Sequence, residues 1–449
     1  MPLPSRELDH LYGDHVTGLA GRVAACMADL GWDGVAIHSG SLAKRSRFDD
    51  QFWPLRASPP FLHWLPLAEP EALLVVRPPH KPVLLRTVTD NFWERAAPPE
   101  SRAFEEMFDV VPIRGPADAR PYVSGGRVAF VGEDPLRAEA WGISADAACP
   151  PALLLSLEAL RVTKSDYEIA CLAEANRRAR AGHEALRTAF AAGEASELDL
   201  HLLFLRATAQ DDAETPYKNI VALGEHAATL HHVAYGRDAP RRAAESLLVD
   251  AGAGCRGYGS DVTRTWVRGD GATASAFAEV VAGLDAAQRR LAGGLRVGRS
   301  YEALHDESHR EVAAVLRSAG VVVASEEEAV ASGVTRAFYP HGLGHSLGLQ
   351  THDVGCGLRP PRGENAFLRN TSDVTAGQTV TIEPGIYFID ALLAPLRADP
   401  RAAAFVDWRL VDALAPLGGV RIEDDVLVLA SGIRNFTRDE LPDGGGRAG

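Results

Sequence analysis

At 449 residues the chain exceeds what one ordinary core holds, so two domains are expected. With 46% hydrophobic and 24% charged residues it has the composition of a folded globular protein, which excludes a disordered or fibrous one. A net charge of −14 excludes nucleic acid and anionic membrane as main partners, since both demand basic surfaces.

The N-terminal MPLPSRELDHLYGDH carries acidic residues and no apolar leader-like core, and no stretch approaches eighteen uninterrupted apolar residues. Five scattered cysteines without a CxxC pair disfavour a disulfide framework or a zinc-thiolate site. A cytoplasmic location is the expectation.

Residues 15–30 have the apolar spacing of a helix, and GVAIHSG, ALLVVRP, PVLLRTV and RVAFVGED read as strands, together an α/β domain over residues 1–155. Near residue 155 the chain turns helical, and Ser165 with Glu168 forms a capping box that starts a long helix. Further helices are expected at about 166–191, 197–210, 273–293 and 301–319, with strands in NIVALG, SLLVDAG, VTRTWV, QTVTIEPGIYF and GGVRIEDDVLVL. Helices grouped beside strands make residues 156–449 an α+β domain.

Four features of this second part carry chemistry. Asp250 and Asp261 flank a glycine-rich connection in SLLVDAGAGCRGYGSDVTRTWV, where a hairpin can bring their carboxylates together. His341, His345 and His352 fall within YPHGLGHSLGLQTHDVG, and imidazole both binds metals and moves protons near neutral pH. Glu383 ends an apolar strand in TVTIEPGIYF, and Glu423 sits inside another in GGVRIEDDVLVL. Singly, each has a plain reading as turn chemistry, a loop histidine or an edge-strand charge. Together, four carboxylates and an imidazole form a hard, oxygen-rich ligand set suited to paired Mn²⁺, Co²⁺ or Zn²⁺. Two such ions ~3.5 Å apart can share a hydroxide and stabilise the oxyanion formed at a carbonyl, so metal-assisted hydrolysis is the reaction implied.

These motifs in this order resemble the pita-bread metallopeptidase family, which includes prolidases, aminopeptidase P and methionyl aminopeptidase. The likeness runs over nearly the whole chain, including IHSG and FDDQFWPLRASPPFLHWLP, and lies closest to the prolidase branch. It implies a C-terminal pita-bread catalytic domain and a smaller N-terminal domain that closes the site and builds a homodimer. It assigns Asp250, Asp261, His345, Glu383 and Glu423 as ligands of two divalent ions, most simply Mn²⁺, with Glu383 also the proton shuttle. His231, His352 and Arg421 carry over as catalytic groups. His341, Tyr387 and His232 carry over to the substrate side, His232 standing where the family has the tyrosine of LHY. Arg369 matches an arginine that clamps the free carboxylate of an Xaa-Pro dipeptide. The implied activity is Xaa-Pro dipeptide hydrolysis, with organophosphate hydrolysis as a side activity; the rivals are an aminopeptidase P acting on longer peptides and an inactive binding protein.

Overall fold

A computed structural model describes residues 5–88, 103–193, 195–239 and 245–448. The described chain forms two compact units, Met1–Ala170 and Cys171–Gly449.

In the first unit, helix α1 (Ser5–Leu30) starts ten residues earlier than the apolar spacing of 15–30 indicated. Leu8 and Tyr12 are buried on the stripe continued by Val16, Leu19, Val23 and Met27, and this three-and-four spacing extends the helix through otherwise polar sequence. Five strands follow: β1 (Gly34–His38), β2 (Leu73–Val76), β3 (Val83–Thr87), β4 (Asp109–Ile113) and β5 (Val128–Val131), in the order β4-β3-β2-β1-β5. Four arise from the apolar runs. β4 escapes that reading because it is an edge strand, mostly exposed and carrying Pro112, a place that tolerates a missing amide donor. Helix α2 (Pro151–Val162) returns to α1, where Arg22 donates to the Leu160 carbonyl.

Helix α3 (Asp166–Ala192) begins at the expected capping box: the Ser165 amide donates to Glu168 Oε2 at 2.8 Å and the Glu168 amide to Ser165 Oγ at 3.4 Å. The second unit continues with α4 (Glu197–Thr208), β6 (Ile220–Leu223), β7 (Ser246–Asp250), the short β8 (Gly254–Cys255) and β9 (Tyr258–Gly259), and β10 (Thr263–Val267). Two long helices, α5 (Ala272–Gly294) and α6 (Tyr301–Ser318), precede β11 (Thr379–Ile382), β12 (Gly385–Tyr387), β13 (Gly419–Arg421), β14 (Asp424–Val428), β15 (Ile433–Asn435) and β16 (Gly445–Arg447). Phe277, Val280 and Leu284 of α5 and Val312 and Leu316 of α6 bury against Ile386, Val420 and Ile422, giving the strands an apolar backing.

Sheet exchange is what matters for function. QTVTIEPGIYF, expected as a strand that Glu383 ends before a turning Pro-Gly pair, and GGVRIEDDVLVL, expected as one strand, are each broken once. β11 pairs β14, whereas β12 pairs β13, so both chains change sheets at Glu383 and at Ile422–Glu423. Proline at 384 has no amide to donate, and the ladder ends there. The break at Glu423 is bridged by a third element: its amide donates to the Thr263 carbonyl of β10 at 3.1 Å.

Candidate metal centre

Five chain segments deliver acidic or imidazole side chains to the floor of one cleft of about 580 Å³. Asp250 ends β7 and lies opposite Thr263 of β10 in the antiparallel register. The ladder runs on past the strand end, the Ala251 amide donating to Val262, and this brings Asp261 onto the same side. Gly252 makes the approach possible, since a Cβ there would lie 1.9 Å from the Ser260 carbonyl oxygen. The HGLGH segment runs beside β11: the Thr381 amide donates to the His345 carbonyl, and the Glu383 amide to that of Leu343. Gly344 is required there, because a Cβ would come 2.3 Å from the Thr381 carbonyl oxygen.

His345 Nδ1 donates to the Ser346 carbonyl at 3.0 Å, which turns Nε2 toward Asp261 Oδ2 at 3.4 Å and Glu383 Oε1 at 3.8 Å. Donor atoms of Asp261, His345 and Glu423 all lie within 4.8 Å of one another. Asp250 is held from two sides, accepting from Tyr217 Oη and from Arg421 Nη2, both at 2.7 Å. Glu423 Oε2 accepts from Thr263 Oγ1 at 2.7 Å.

The electrostatics describe a site short of positive charge. Burial, reinforced by Asp261, Glu383 and Asp250, pushes the Glu423 carboxyl well above the usual range. Burial also raises Glu383, to about 7, against the pull of His345 and Arg421. Asp250 is likewise raised by burial, which Arg421 partly offsets. For Asp261 burial acts upward, but the hydrogen bond and charge of His345 bring it below its ordinary value. The same contact overcomes burial at His345 and lifts it to about 9. Four crowded carboxylates whose buried guanidinium, Arg421, is bonded to only one of them fit divalent cations.

Arg421, His341 and Tyr387 form a chain beside the floor. Arg421 Nη1 donates to Tyr387 Oη at 2.8 Å, and Tyr387 meets His341 Nε2 at 2.9 Å while His341 Nδ1 lies 2.9 Å from the Gly342 carbonyl. Burial and Arg421 hold His341 down at about 3, so the ring is neutral, donates from Nδ1 and accepts the Tyr387 proton at Nε2. His231, His352, Arg369 and Arg421 line the cleft with His341. The His352 ring stands 4.5 Å from that of His345, and burial followed by that neighbour lowers it to about 4. Arg369 has no hydrogen-bond or ion-pair partner among the described residues.

Two residues expected against substrate are elsewhere. Tyr387 is fully buried, held between Arg421 and His341, and is not among the residues lining the cleft. His232 is absent from the cleft lining, which includes His231 and Val233, and bonds Glu197 Oε2 at 2.9 Å instead. Tyr217 and Thr263, by contrast, touch ligand carboxylates and were not singled out from sequence. Thr263 had a signal, standing two residues after Asp261 on the same strand face. Tyr217, thirty-three residues before its partner, had none.

Comparison with known proteins agrees with this geometry. Residues 170–430 match the model of metallopeptidase family M24, and residues 10–158 match that of the Xaa-Pro dipeptidase N-terminal domain. The chain is 43% identical over 441 residues to the Xaa-Pro dipeptidase of Marinobacter nauticus, covering 97% of this chain and 100% of that protein. It is 38% identical over 445 residues to that of Xanthomonas campestris, covering 96% and 98%. Its fold matches the structure of proline aminopeptidase P II from Yersinia pestis with a TM-score of 0.74 at 23% identity, over 96% of this chain and 97% of that one. The chain belongs to metallopeptidase family M24, and its first domain is that of the Xaa-Pro dipeptidases.

Proposed function

We propose that the protein is an Xaa-Pro dipeptidase, hydrolysing the bond before a C-terminal proline. The observation that carries this reading is a charge-deficient cluster of four carboxylates and one imidazole in a cleft that also offers the guanidinium of Arg369, unpartnered among the described residues. Full-length likeness to proteins named Xaa-Pro dipeptidase supports the substrate class.

Asp250, Asp261, His345, Glu383 and Glu423 would hold two divalent ions, with Mn²⁺ first because the donors are mostly carboxylate oxygens. A bound pair would supply Lewis acidity and electrostatic stabilisation of developing negative charge. Glu383, at the cleft floor, takes a proton from the attacking water and passes it to the departing proline nitrogen. His231 and His352 flank the scissile bond from the cleft walls, and Arg369 pairs with the free dipeptide carboxylate. Arg421, braced by Tyr387, offsets part of the burial cost of the Asp250 carboxylate and holds it in place. The reading extends to a homodimer, by resemblance to the prolidase family, and to the cytoplasm, which suits five scattered cysteines.

The test is hydrolysis of Ala-Pro and of a tripeptide extended beyond its proline, by metal-stripped protein before and after Mn²⁺ is added. Metal-restored cleavage confined to the dipeptide is expected. Cleavage of the tripeptide at a comparable rate would overturn dipeptide specificity.

A further inference from the structure

The loop that walls the cleft is fastened to the first turn of α4 by the Glu197 carboxylate and by the Leu198 amide, which donates to the Gly236 carbonyl at 3.1 Å. Glu197, 2% exposed, accepts at Oε1 from the Leu223 amide (2.9 Å) and His226 Nδ1 (2.7 Å), and at Oε2 from the Gly236 amide (2.7 Å) and His232 Nε2 (2.9 Å). The two imidazoles stack at 4.5 Å with 27° between their planes. One donor atom from each of the three residues lies within 4.8 Å of the others. The trio shares no residue with the cluster on the cleft floor, and the hydrolysis uses none of it.

Two imidazoles and a carboxylate are the protein donors of open zinc sites, in which water completes the tetrahedron. The amides of Leu223 and Gly236 fix both carboxylate oxygens in advance, so an ion meets an oriented donor. His226 has 48% of its side chain exposed, giving a path of entry and room for the water ligand. Bonds of ~2.0–2.2 Å place tetrahedral donors ~3.4 Å apart. The imidazole–carboxylate spacings need to open by less than an ångström to reach that, which side-chain rotation supplies.

We propose that Glu197, His226 and His232 form a mononuclear divalent-cation site of the zinc class that locks the 223–236 loop onto α4. Without the ion each ring donates an N–H to the carboxylate; a bound ion would take the lone pair of that same nitrogen, leaving the ring's N–H on the other one. The loop carries Leu230, His231 and Val233 of the cleft wall, which the filled site would stiffen.

The test compares Zn²⁺ titration of the metal-stripped full chain by calorimetry with that of His226→Ala and His232→Phe. Wild type is expected to take one equivalent more than either variant, or to bind that equivalent at least about 100-fold more tightly, whatever the floor cluster takes up. Amide exchange over 224–236 should slow on addition of that equivalent in wild type alone. His226→Ala, in a half-exposed side chain, keeps the comparison clear of misfolding. Equal zinc stoichiometry and affinity in wild type and His226→Ala would overturn the proposal and leave the trio as a hydrogen-bonded latch, a result independent of whether the protein cleaves Xaa-Pro dipeptides.

Discussion

The guanidinium of Arg421 donates to Asp250 Oδ2 at 2.7 Å, with both residues nearly excluded from water. Its Nη1 holds Tyr387, so one buried cation fixes both a carboxylate on the cleft floor and the hydroxyl that orients His341. Removing one partner of a buried pair strands the other charge. Arg421→Met should therefore lose about 3–5 kcal/mol of stability in metal-free protein. Mn²⁺ should bind about 10–100-fold more weakly, because Asp250 loses its support. Denaturant unfolding with metal titration checks both, and an unchanged midpoint would remove Arg421 as the brace.

Glu383 and His345 make stability depend on pH in the same direction. Each is raised in the fold, Glu383 to about 7 from 4.5 and His345 to about 9 from 6.5. A group whose folded pKa lies above its unfolded one contributes stability below the unfolded value and loses it as pH rises through the folded one. Glu383 therefore loses its contribution between about pH 4.5 and 7 and His345 between about 6.5 and 9, so the fall expected in metal-free protein from pH 6.5 to 9 is mainly that of His345. On the acid side the buried rings of His183 and His341, both lowered to about 3 chiefly by burial, reverse the slope as pH falls below 6.5. Ions compete with the same protons, so Mn²⁺ affinity should rise from pH 6 to 9 with proton release. Melting curves with and without Mn²⁺ across this range decide it; a flat metal-free profile would refute the assignment.

Glu383→Gln keeps the shape of the side chain but can neither bind nor release the transferred proton. Loss of general acid–base assistance is worth about 10²–10⁴ in kcat, with a smaller effect on KM. Metal content measured on the same sample separates lost proton transfer from a lost ligand. A fully metallated variant with wild-type kcat would exclude Glu383 as the shuttle.

Arg369→Ala removes the cation expected to hold the dipeptide carboxylate. A charge-assisted hydrogen bond contributes about 1.5–3 kcal/mol, so KM for Ala-Pro should rise roughly 10–100-fold. The same substitution should barely affect a substrate whose terminal carboxylate is amidated. Equal losses on both would sink the clamp.

What could be read from sequence followed from contrast. An acid at the end of an apolar strand, as at Asp250 or Glu383, stands out against its neighbours because burying it alone is costly. Pairing between strands does not stand out: the Pro-Gly pair of QTVTIEPGIYF marks where the strand turns, but nothing in the pattern shows that its two halves join different sheets. Nor does side-chain direction in a loop. His231 and His232 are identical neighbours in TLHH, and only the contact with Glu197 shows which one turns inward. Tyr387 was misplaced similarly, since its motif gives proximity to the site without showing that Arg421 and His341 enclose it.

Gly252 is where chain geometry and chemistry can be separated. It is no ligand and bears no charge, yet a methyl group there would meet the Ser260 carbonyl oxygen at 1.9 Å and its carbon at 3.0 Å, both backbone atoms. Neither can rotate aside, so Gly252→Ala must spread the connection between β7 and β10. Overpacking of this kind costs about 1–3 kcal/mol. The larger effect should fall on metal binding, because Asp250 and Asp261 stand on the two arms being forced apart. Gly293→Ala is the counterpart: it lies in the last turns of α5 with nothing near the added methyl, and should stabilise by up to about 1 kcal/mol with metal affinity unchanged. If Gly252→Ala bound Mn²⁺ as wild type does, the spacing of the two aspartates would not depend on this glycine, and the close approach at Ser260 would be relieved without moving either carboxylate.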